Sequence, residues 1–380
     1  MVELSSLAQQ VLTYVAIYYI ITTALNLKAG VTGIPDFGHA MFFAVGGIVV
    51  GNIVSQIAAA MAGIGASKVI EDNTVTLSIL NSEFFPNEPL ISTMLILLAI
   101  ALSLILGGLL GWLASFPALR LRGEYLAIML LAASEGLRVF VTYTPQIMGA
   151  TPTVGLSSPA LLAWTGNPGL AATILTVGVA IGVYIYFERF YNSPSGRLFR
   201  AVRDDEESAK ALGKDVAAVR RNSMILGSAL AGLAGALYSM NPWIGGGSVA
   251  AQSVFDRVLW TFWPWALMIL GGMASNRGVG LAAIVTGILI LWPIRIYKRE
   301  IVDILRVGEL GFNPDGVANA LEYILIGMLI LVVIFMRPQG IIPAPPSRTL
   351  SSSEIREVAA KSPEPDSSES PANREKESLQ

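Results

Sequence analysis

Residues 91–116 read ISTMLILLAIALSLILGGLLGWLASF, an apolar run without a charged side chain that stops at Pro117. Because a hydrocarbon layer needs roughly 20 apolar residues for one helical span, this run predicts a membrane-spanning helix. Eight further apolar stretches bring the predicted count to nine spans, within a range of about eight to ten. They are 7–27, 38–60, 125–143, 170–187, 219–240, 259–274, 279–297 and 321–336. The sequence therefore predicts an all-α, polytopic membrane helical bundle.

The seventh predicted span, 259–274, is short and contains Pro264. A break in a spanning helix is tolerated where protein or a water-filled cavity covers the freed backbone. We therefore expect this stretch to be a broken or re-entrant helix that is buried against protein. Its tryptophans are typical of an aromatic belt at the membrane interface; they are Trp260, Trp263 and Trp265.

Small residues recur along the sixth predicted span, 219–240. Gly227, Gly232 and Gly235 stand at intervals that bring them toward a common side of a helix. Because small side chains allow backbones to approach closely in lipid, this spacing predicts tight helix packing.

The overall composition agrees with a membrane protein and narrows the chemistry. Hydrophobic residues make up 53% of the chain and charged residues 14%, whereas a soluble domain carries about 25% charged residues. The absence of cysteine excludes disulfides and thiolate chemistry, and a single histidine excludes a multi-histidine metal centre within one chain. A net charge of −2 argues against nucleic-acid binding. We expect no metal and no cofactor in this chain.

The distribution of Lys and Arg predicts the orientation, because cytoplasmic loops carry an excess of both. The turn 119–123 and the segment 196–221 are basic, whereas the loop 61–90 carries four acidic residues against one lysine. The N-terminus is therefore predicted to be extracytoplasmic and the C-terminus cytoplasmic, in a multi-pass protein of the cell membrane. The basic residues in 295–299, after the eighth span, do not fit this count.

The end of the chain differs from the rest. Residues 344–380 are rich in Pro, Ser, Glu and Lys and poor in aromatic residues. Such a segment cannot bury enough apolar area to offset the entropy of ordering. The sequence thus predicts a transmembrane domain at 1–343 and a disordered cytoplasmic tail at 344–380.

A polar interruption, GRLFRAVRDDEESAKALGKDVAAVRR, occupies residues 196–221. The turn residues before it include Ser195 as a candidate N-cap, and Gly213 is placed to end a helix with positive φ. Asp215 can then cap the sixth span. The pattern predicts one amphipathic helix, a glycine turn and entry into the next span. An ordinary solvated loop is the alternative, but a helix presented between two spans could move both together.

This stretch resembles the cytoplasmic EAA loop of ABC importer permeases, in which a Glu, two small residues, three variable residues and a Gly follow one another. Glu207, Ser208, Ala209 and Gly213 carry the pattern here, with Ser in place of one Ala. Four other stretches resemble, in the same order, segments of the LivM/LivH branch of these permeases, which serves branched-chain amino acids and has urea and amide relatives. They are GIPDFGHAMFFAVGG (33–47), LRLRGEYLAIMLLAASEGLR (119–138), ILGGMASNRGVGLAAIVTG (269–287) and RPQGI (337–341).

The resemblance implies a permease subunit that translocates branched-chain or similar small amino acids by alternating access. It also implies a second, LivH-like permease subunit, two cytoplasmic ATPase subunits, an extracytoplasmic substrate-binding protein and surrounding membrane lipid, with no nucleic acid. ATP would be bound by the partner subunits, since the chain has no GxxxxGK[ST] loop and is not expected to be an enzyme. The coupling loop would be 192–216. Its ATPase-coupling candidates are Arg200, Arg203, Glu206, Glu207, Ala209 and Gly213.

Three ionisable residues within predicted spans are candidates for the transport pathway or its gate: Glu135, Arg138 and His39. Glu135 and Arg138 are three positions apart and so share a helix face. Either alone would cost about 2.5–3.5 kcal/mol at the bilayer centre on insertion scales. They form a gating pair or a salt bridge that holds the fourth span against its neighbours. For His39 the alternatives are a proton relay and, as we favour, a hydrogen-bonded histidine at an interfacial helix end.

A secondary transporter driven by an ion gradient is the alternative function. Its signature is a pair of broken helices around a midplane site, and Pro264 with the 271–272 glycine pair would permit one. The scarcity of carboxylates within the predicted spans argues against it, as does the EAA-like loop.

Overall fold

Long apolar helices form the framework of the described chain, as the sequence predicts. In this computed structural model, six of them are long and apolar enough to cross a membrane: Ser6–Val31, His39–Met61, Pro89–Arg120, Gly123–Thr142, Pro168–Asn192 and Val216–Met240. They coincide with the first six predicted spans and confirm an all-α polytopic bundle. The structure describes residues 4–121, 123–148, 153–154, 158–241, 248–249, 254–293, 297, 320, 324–325, 327–329, 331–332, 335–336 and 339–343. The tail predicted to be disordered, 344–380, and seven of the sixteen residues of the ninth predicted span, 321–336, lie outside the described residues.

The elements follow one another in a simple order. The α-helices are α1 (Leu4–Leu25), α2 (His39–Ile48), α3 (Ser55–Met61), α4 (Lys68–Glu71), α5 (Asn73–Ile79), α6 (Phe85–Asn87), α7 (Pro89–Arg120), α8 (Gly123–Thr142), α9 (Pro145–Met148), α10 (Ser158–Leu161), α11 (Pro168–Asn192), α12 (Pro194–Asp204), α13 (Glu206–Ala211), α14 (Val216–Met240), α15 (Trp263–Gly271) and α16 (Asn276–Thr286). The π-helical turns are Asn26–Val31, Val49–Val54, Leu80–Phe84, Val258–Phe262 and Gly287–Leu291, with a 3₁₀ turn at Ala163–Thr165. Strands β1 (Thr153–Val154) and β2 (Ser248–Val249) form a two-residue antiparallel pair.

The seventh and eighth predicted spans form one bent unit. A five-residue π-helical turn and the nine-residue helix α15 make up its first arm, which is too short to cross a bilayer by itself. The second arm, Asn276–Leu289, turns away from the first by 113°. Gly272, with φ of 110°, opens the bend. The expected broken or re-entrant helix is therefore confirmed, whereas counting two separate spans here was wrong.

The inner helices are packed through small residues. Helix α14 lies against α7 and α2. A Cβ atom at Gly232 would lie 2.6 Å from the main-chain oxygen of Ser103, and one at Gly235 would overlap the main-chain oxygen of Phe43. These approaches confirm the packing role predicted for the glycines of this span.

The aromatic belt predicted around span seven was wrong. Trp260 is 1% exposed, and its ring stacks on Phe43 with centroids 3.9 Å apart. Trp263 is buried as well, and Trp265 donates a hydrogen bond of 3.0 Å to the main-chain oxygen of Asp36. The first arm of the bent unit lies inside the bundle, so its large rings fill the core.

Burial separates inner from outer helices. The most apolar windows of α1 and α14 are 83% and 78% buried, whereas those of α7, α8 and α11 are 33%, 28% and 33% buried. The outer three helices therefore present wide faces that the described residues leave uncovered.

Candidate functional site

The predicted coupling helix is two helices. Ser193, two residues before the predicted Ser195, caps α12 by accepting a hydrogen bond of 3.3 Å from the Gly196 amide. The break comes at Asp205, whose backbone is extended with φ of −154°. Its carboxylate accepts hydrogen bonds of 3.0 Å from the main-chain amides of Glu207 and Ser208 and so caps α13. An aspartate that captures backbone donors in this way favours a new helix start over helix continuation.

The end of the helix pair follows the prediction. Gly213 has φ of 74°. Its amide donates to the Lys210 carbonyl at 3.0 Å, and the Lys214 amide donates to the Ala209 carbonyl at 3.1 Å. These two bonds close the helix with a Schellman motif. Asp215 then caps α14 through a 2.9 Å bond from the Ala218 amide, which confirms the predicted cap.

Arg203 connects this loop to the first span. Its Nη1 donates a 2.8 Å hydrogen bond to the main-chain oxygen of Gly30, which lies in the π-helical turn Asn26–Val31. The same guanidinium pairs with Asp204 through Nε and Nη2. The last turn of α12 is therefore held against the end of the first membrane helix.

A second polar contact holds α13. Glu206 forms an ion pair of 3.3 Å with Arg220 of α14, and Arg220 also donates to the Ala118 main-chain oxygen of α7 at 2.7 Å. Arg200 donates to the Tyr191 carbonyl at 3.0 Å. Three of the predicted coupling residues thus bind the body of this chain.

The other coupling candidates divide by exposure. Ala209 is 4% exposed and packs inward, whereas Glu207 and Gly213 are exposed. Beside them Leu212 is 77% exposed, although the sequence interpretation did not single it out. The signal available in the sequence was a leucine within the polar stretch 196–221. Glu207, Leu212 and Gly213 are therefore among the loop residues that this chain leaves exposed.

A buried polar cluster lies just inside the Gly30 contact, and its members are Lys28, Asp36 and His39, each with 0% exposure. Lys28 Nζ forms an ion pair with Asp36 Oδ2. The Nδ1 atom of His39 lies 3.0 Å from the same carboxylate oxygen, and its Nε2 lies 3.1 Å from the Ile21 carbonyl. His39 is hydrogen-bonded at a helix start as predicted, but it is fully buried. Lys28 was missed, because nothing in the sequence shows that it reaches Asp36.

The surroundings of Lys28 join several helices. Its Nζ lies 4.1 Å from the centre of the Phe42 ring in α2 and 3.4 Å from Ser228 Oγ in α14. A Cβ at Gly227 would lie 2.7 Å from Lys28 Cγ, so the glycine makes room for the lysine stem. Removing one member of a buried ion pair leaves an uncompensated charge and costs about 3–5 kcal/mol. The cluster therefore fixes α1, α2 and α14 relative to one another.

Glu135 and Arg138 form the predicted pair. Arg138 Nε donates to Glu135 Oε1 at 2.9 Å. Arg257, which the sequence interpretation missed, places its Nε 3.6 Å from Glu135 Oε2. The side chains are 31%, 34% and 48% exposed, for Glu135, Arg138 and Arg257 respectively. We call these three residues the charged trio. The bond within α8 and the contact to Arg257 agree with a structural salt bridge, and the exposure leaves a pathway role open.

A lateral groove of about 590 Å³ lies between α1, α11 and α16 and is lined almost wholly by apolar side chains. Its charged residue, Arg277, pairs with Glu188 through a 2.8 Å bond. None of the predicted pathway residues lines this groove. Among the described residues, no three His, Cys, Asp or Glu side chains converge to hold a metal ion.

Comparisons with known proteins agree with this architecture. The LivM protein of Methanocaldococcus jannaschii, a probable branched-chain amino acid transport permease, is 34% identical over 342 residues, which cover 90% of this chain and 94% of that protein. The high-affinity LivM permease of Escherichia coli is 26% identical over 265 residues, 61% of this chain and 54% of that protein. Its Salmonella typhimurium counterpart is 24% identical over 363 residues, 87% and 69% of the two chains. No solved structure matches significantly.

The family model for the permease component of branched-chain amino acid transport systems matches residues 7–334. That match spans the six long helices, the loop helices and the bent unit. The chain therefore belongs to the family of branched-chain amino acid transport permease components, as a multi-pass membrane protein.

Proposed function

We propose that this permease component moves branched-chain or similar small amino acids by alternating access, driven by partner ATPases that dock on the loop helices α12 and α13. The observation that carries the proposal is the hydrogen bond from Arg203 to the Gly30 carbonyl. It joins the loop to the end of the first span, two residues from the buried Lys28.

The loop has the two faces that such a coupling element requires. Its inner face binds the bundle through Arg200, Arg203 and Glu206. Its outer face exposes Leu212 together with Glu207 and Gly213 of the EAA-like pattern. Because the resemblance to the EAA loop implies docking on an ATPase, and this face carries the exposed residues of that pattern, we assign it to the ATPase.

The proposed assembly has this chain, a second permease subunit of the LivH type, two cytoplasmic ATPase subunits that bind ATP, and an extracytoplasmic substrate-binding protein. The chain itself supplies the path and the coupling element rather than an enzymatic site. The loop helices and the C-terminus would be cytoplasmic, and the N-terminus extracytoplasmic.

Cysteine crosslinking tests the docking face, because the chain has no cysteine of its own. We expect Leu212→Cys to crosslink to a co-expressed ATPase subunit in membrane vesicles, in an ATP-dependent manner. Ala201→Cys is the matched control, since Ala201 is exposed on α12 outside the proposed face. Equal crosslinking from both positions would contradict the assignment.

Transport by the purified assembly tests the energy source. We expect uptake into proteoliposomes to require ATP and the ATPase subunits. Uptake by this chain alone, driven by a proton or sodium gradient, would instead establish the secondary-transporter alternative.

A further inference from the structure

Two members of the charged trio, Glu135 and Arg138, lie within the membrane-spanning helix α8, and Arg257 approaches them from the residue before the π-helical turn Val258–Phe262. Glu135 lies roughly 18 Å from Gly123, where α8 begins, and roughly 10 Å from Thr142, where it ends, at about 1.5 Å per residue. Charged side chains at such depth face a protein neighbour or a water-filled cavity rather than lipid. Helix α8 is nevertheless mostly uncovered by the described part of this chain. Within the described residues, the side of α8 that carries Glu135 is therefore left open to water or to another subunit.

Open space adjoins the trio. A Cβ built at Gly136, the residue next to Glu135, would meet no described atom within 4 Å. Val139, one helical turn after Glu135, is 45% exposed. The same stretch of helix thus offers both charged groups and an apolar neighbour to a molecule that enters this space.

Within the trio, Glu135 is hydrogen-bonded to Arg138 but makes only a longer contact with Arg257. Arg138 occupies Oε1 of Glu135, which leaves Oε2 directed at Arg257. The Arg257 contact, at 3.6 Å, is longer than a hydrogen bond, and within the trio two arginines face one glutamate. The neighbouring Asp256 accepts a 3.0 Å bond from the Leu259 amide and so caps the π-helical turn. Among the described residues, Arg257 forms no second ion pair.

We infer that the charged trio binds the backbone of the transported amino acid, with its α-carboxylate on Arg257 and its α-ammonium on Glu135 Oε2. A zwitterion carries one charge of each sign on neighbouring atoms, and it can replace the loose Arg257–Glu135 contact with two charge-assisted hydrogen bonds. Arg138 holds the Glu135 carboxylate in place. Val139 then lies where an apolar side chain of the solute can contact it. This inference rests on the proposed function and names the chemical group that the permease recognises.

Direct binding tests the site. The permease complex, purified with its ATPases but without the binding protein, is placed in nanodiscs, and radiolabelled leucine is titrated with and without leucinamide, which lacks the carboxylate. Because a hydrogen bond to a charged group contributes enough for about a 10–100-fold change in affinity, we expect Arg257→Gln to weaken leucine binding by about that factor. Leucinamide should compete poorly in the unmodified protein. Arg257→Lys should restore part of the binding.

Two controls separate the outcomes. Arg277→Gln removes an exposed arginine from a different ion pair, and we expect it to leave leucine binding unchanged. If leucine binds equally well to the Arg257→Gln complex, or if leucinamide competes as well as leucine, the inference is overturned. A failure of the unmodified complex to bind leucine also overturns it, while ATP-driven uptake by the full system would still uphold the proposed function.

Discussion

Arg203 in the loop helix α12 donates a 2.8 Å hydrogen bond to the main-chain oxygen of Gly30, 173 positions earlier in the chain. Gly30 belongs to the same π-helical turn as Lys28, whose ammonium pairs with Asp36 inside the bundle. Two consecutive polar contacts therefore lead from the loop surface to a buried charge cluster. A displacement of α12 would act on the end of the first span and on the helices that Lys28 contacts.

The first prediction concerns Arg203→Ala. A hydrogen bond from a charged donor contributes about 1.5–3 kcal/mol, so we expect amino acid uptake per ATP hydrolysed to fall about tenfold or more. The physical reason is that α12 would no longer be held against the first span. Uptake and ATP hydrolysis are measured in the same proteoliposomes.

The matched control for Arg203 is Arg197→Ala on the same helix. Within the described residues, the Arg197 side chain donates a hydrogen bond only to the Asn192 carbonyl, at 3.4 Å, and so does not connect α12 to the first span. We expect it to retain coupling. An Arg203→Ala complex that transports as efficiently as this control would remove the Gly30 contact from the mechanism.

The second prediction concerns the buried ion pair. Lys28→Met leaves the Asp36 carboxylate without its ammonium partner, and we expect a loss of about 3–5 kcal/mol of stability. The double change Lys28→Met with Asp36→Asn should cost less than the sum of the single changes, because it removes both charges. Thermal unfolding in detergent, analysed as a double-mutant cycle, measures the coupling. Additive effects would show that the two charges do not depend on each other.

The spans could be predicted because each is a long apolar run, and such a run has few alternatives in a membrane protein. The break at Asp205 could not, since its neighbours fit one helical pattern and only the hydrogen bonds to the Asp205 carboxylate decide between one helix and two. The fate of Trp260 also depends on tertiary packing. Tryptophan is typical of membrane interfaces, but the first arm of the bent unit packs into the core, so the Trp260 ring is buried there.

In the candidate site, contacts within one helix could be predicted from the sequence, whereas contacts between distant segments could not. Glu135 and Arg138 pair within one helix, so their spacing was sufficient. Lys28 and Arg257 meet their partners through a turn and a distant segment, and sequence distance gives no indication of those contacts. Arg203 was predicted as a coupling residue, but its Gly30 partner was not.

The third prediction concerns Gly213→Val. Gly213 has φ of 74°, a conformation that costs an L-residue roughly 1–2 kcal/mol and a β-branched residue more. We expect the Schellman turn to rearrange, and transport per ATP to decrease while the complex still assembles. Gly213→Asn is the comparison, since asparagine tolerates this conformation better, and it should retain most of the coupling. Full coupling in the valine variant would contradict a role for this turn.

The fourth prediction concerns pH. Hydrogen bonds from Ser208, first its hydroxyl and then its amide, lower the pKa of Asp205 in the folded loop. A carboxylate whose pKa is lower folded than unfolded stabilises the fold above its unfolded value, about 3.9, and loses that contribution as the pH falls through the folded value. We expect α13 to open first under acidic conditions. Hydrogen exchange of Glu206–Ala211, corrected for the intrinsic rate, should rise at acidic pH, and Ser208→Ala should move this rise to higher pH. An unchanged profile in that variant would contradict the assignment.

The fifth prediction compares two glycines in long helices. Gly→Ala in an exposed helix usually stabilises by about 0.5–1 kcal/mol, and at Gly178 a Cβ would meet no described atom within 4 Å. At Gly232 the same methyl group would lie 2.6 Å from the Ser103 carbonyl oxygen, and overpacking of this kind costs about 1–3 kcal/mol. We therefore expect Gly232→Ala to lower the unfolding temperature in detergent and Gly178→Ala to leave it unchanged or raise it. If both variants unfold at the same temperature, α7 and α14 do not pack through this contact, because the two substitutions differ only in the space that each methyl group enters.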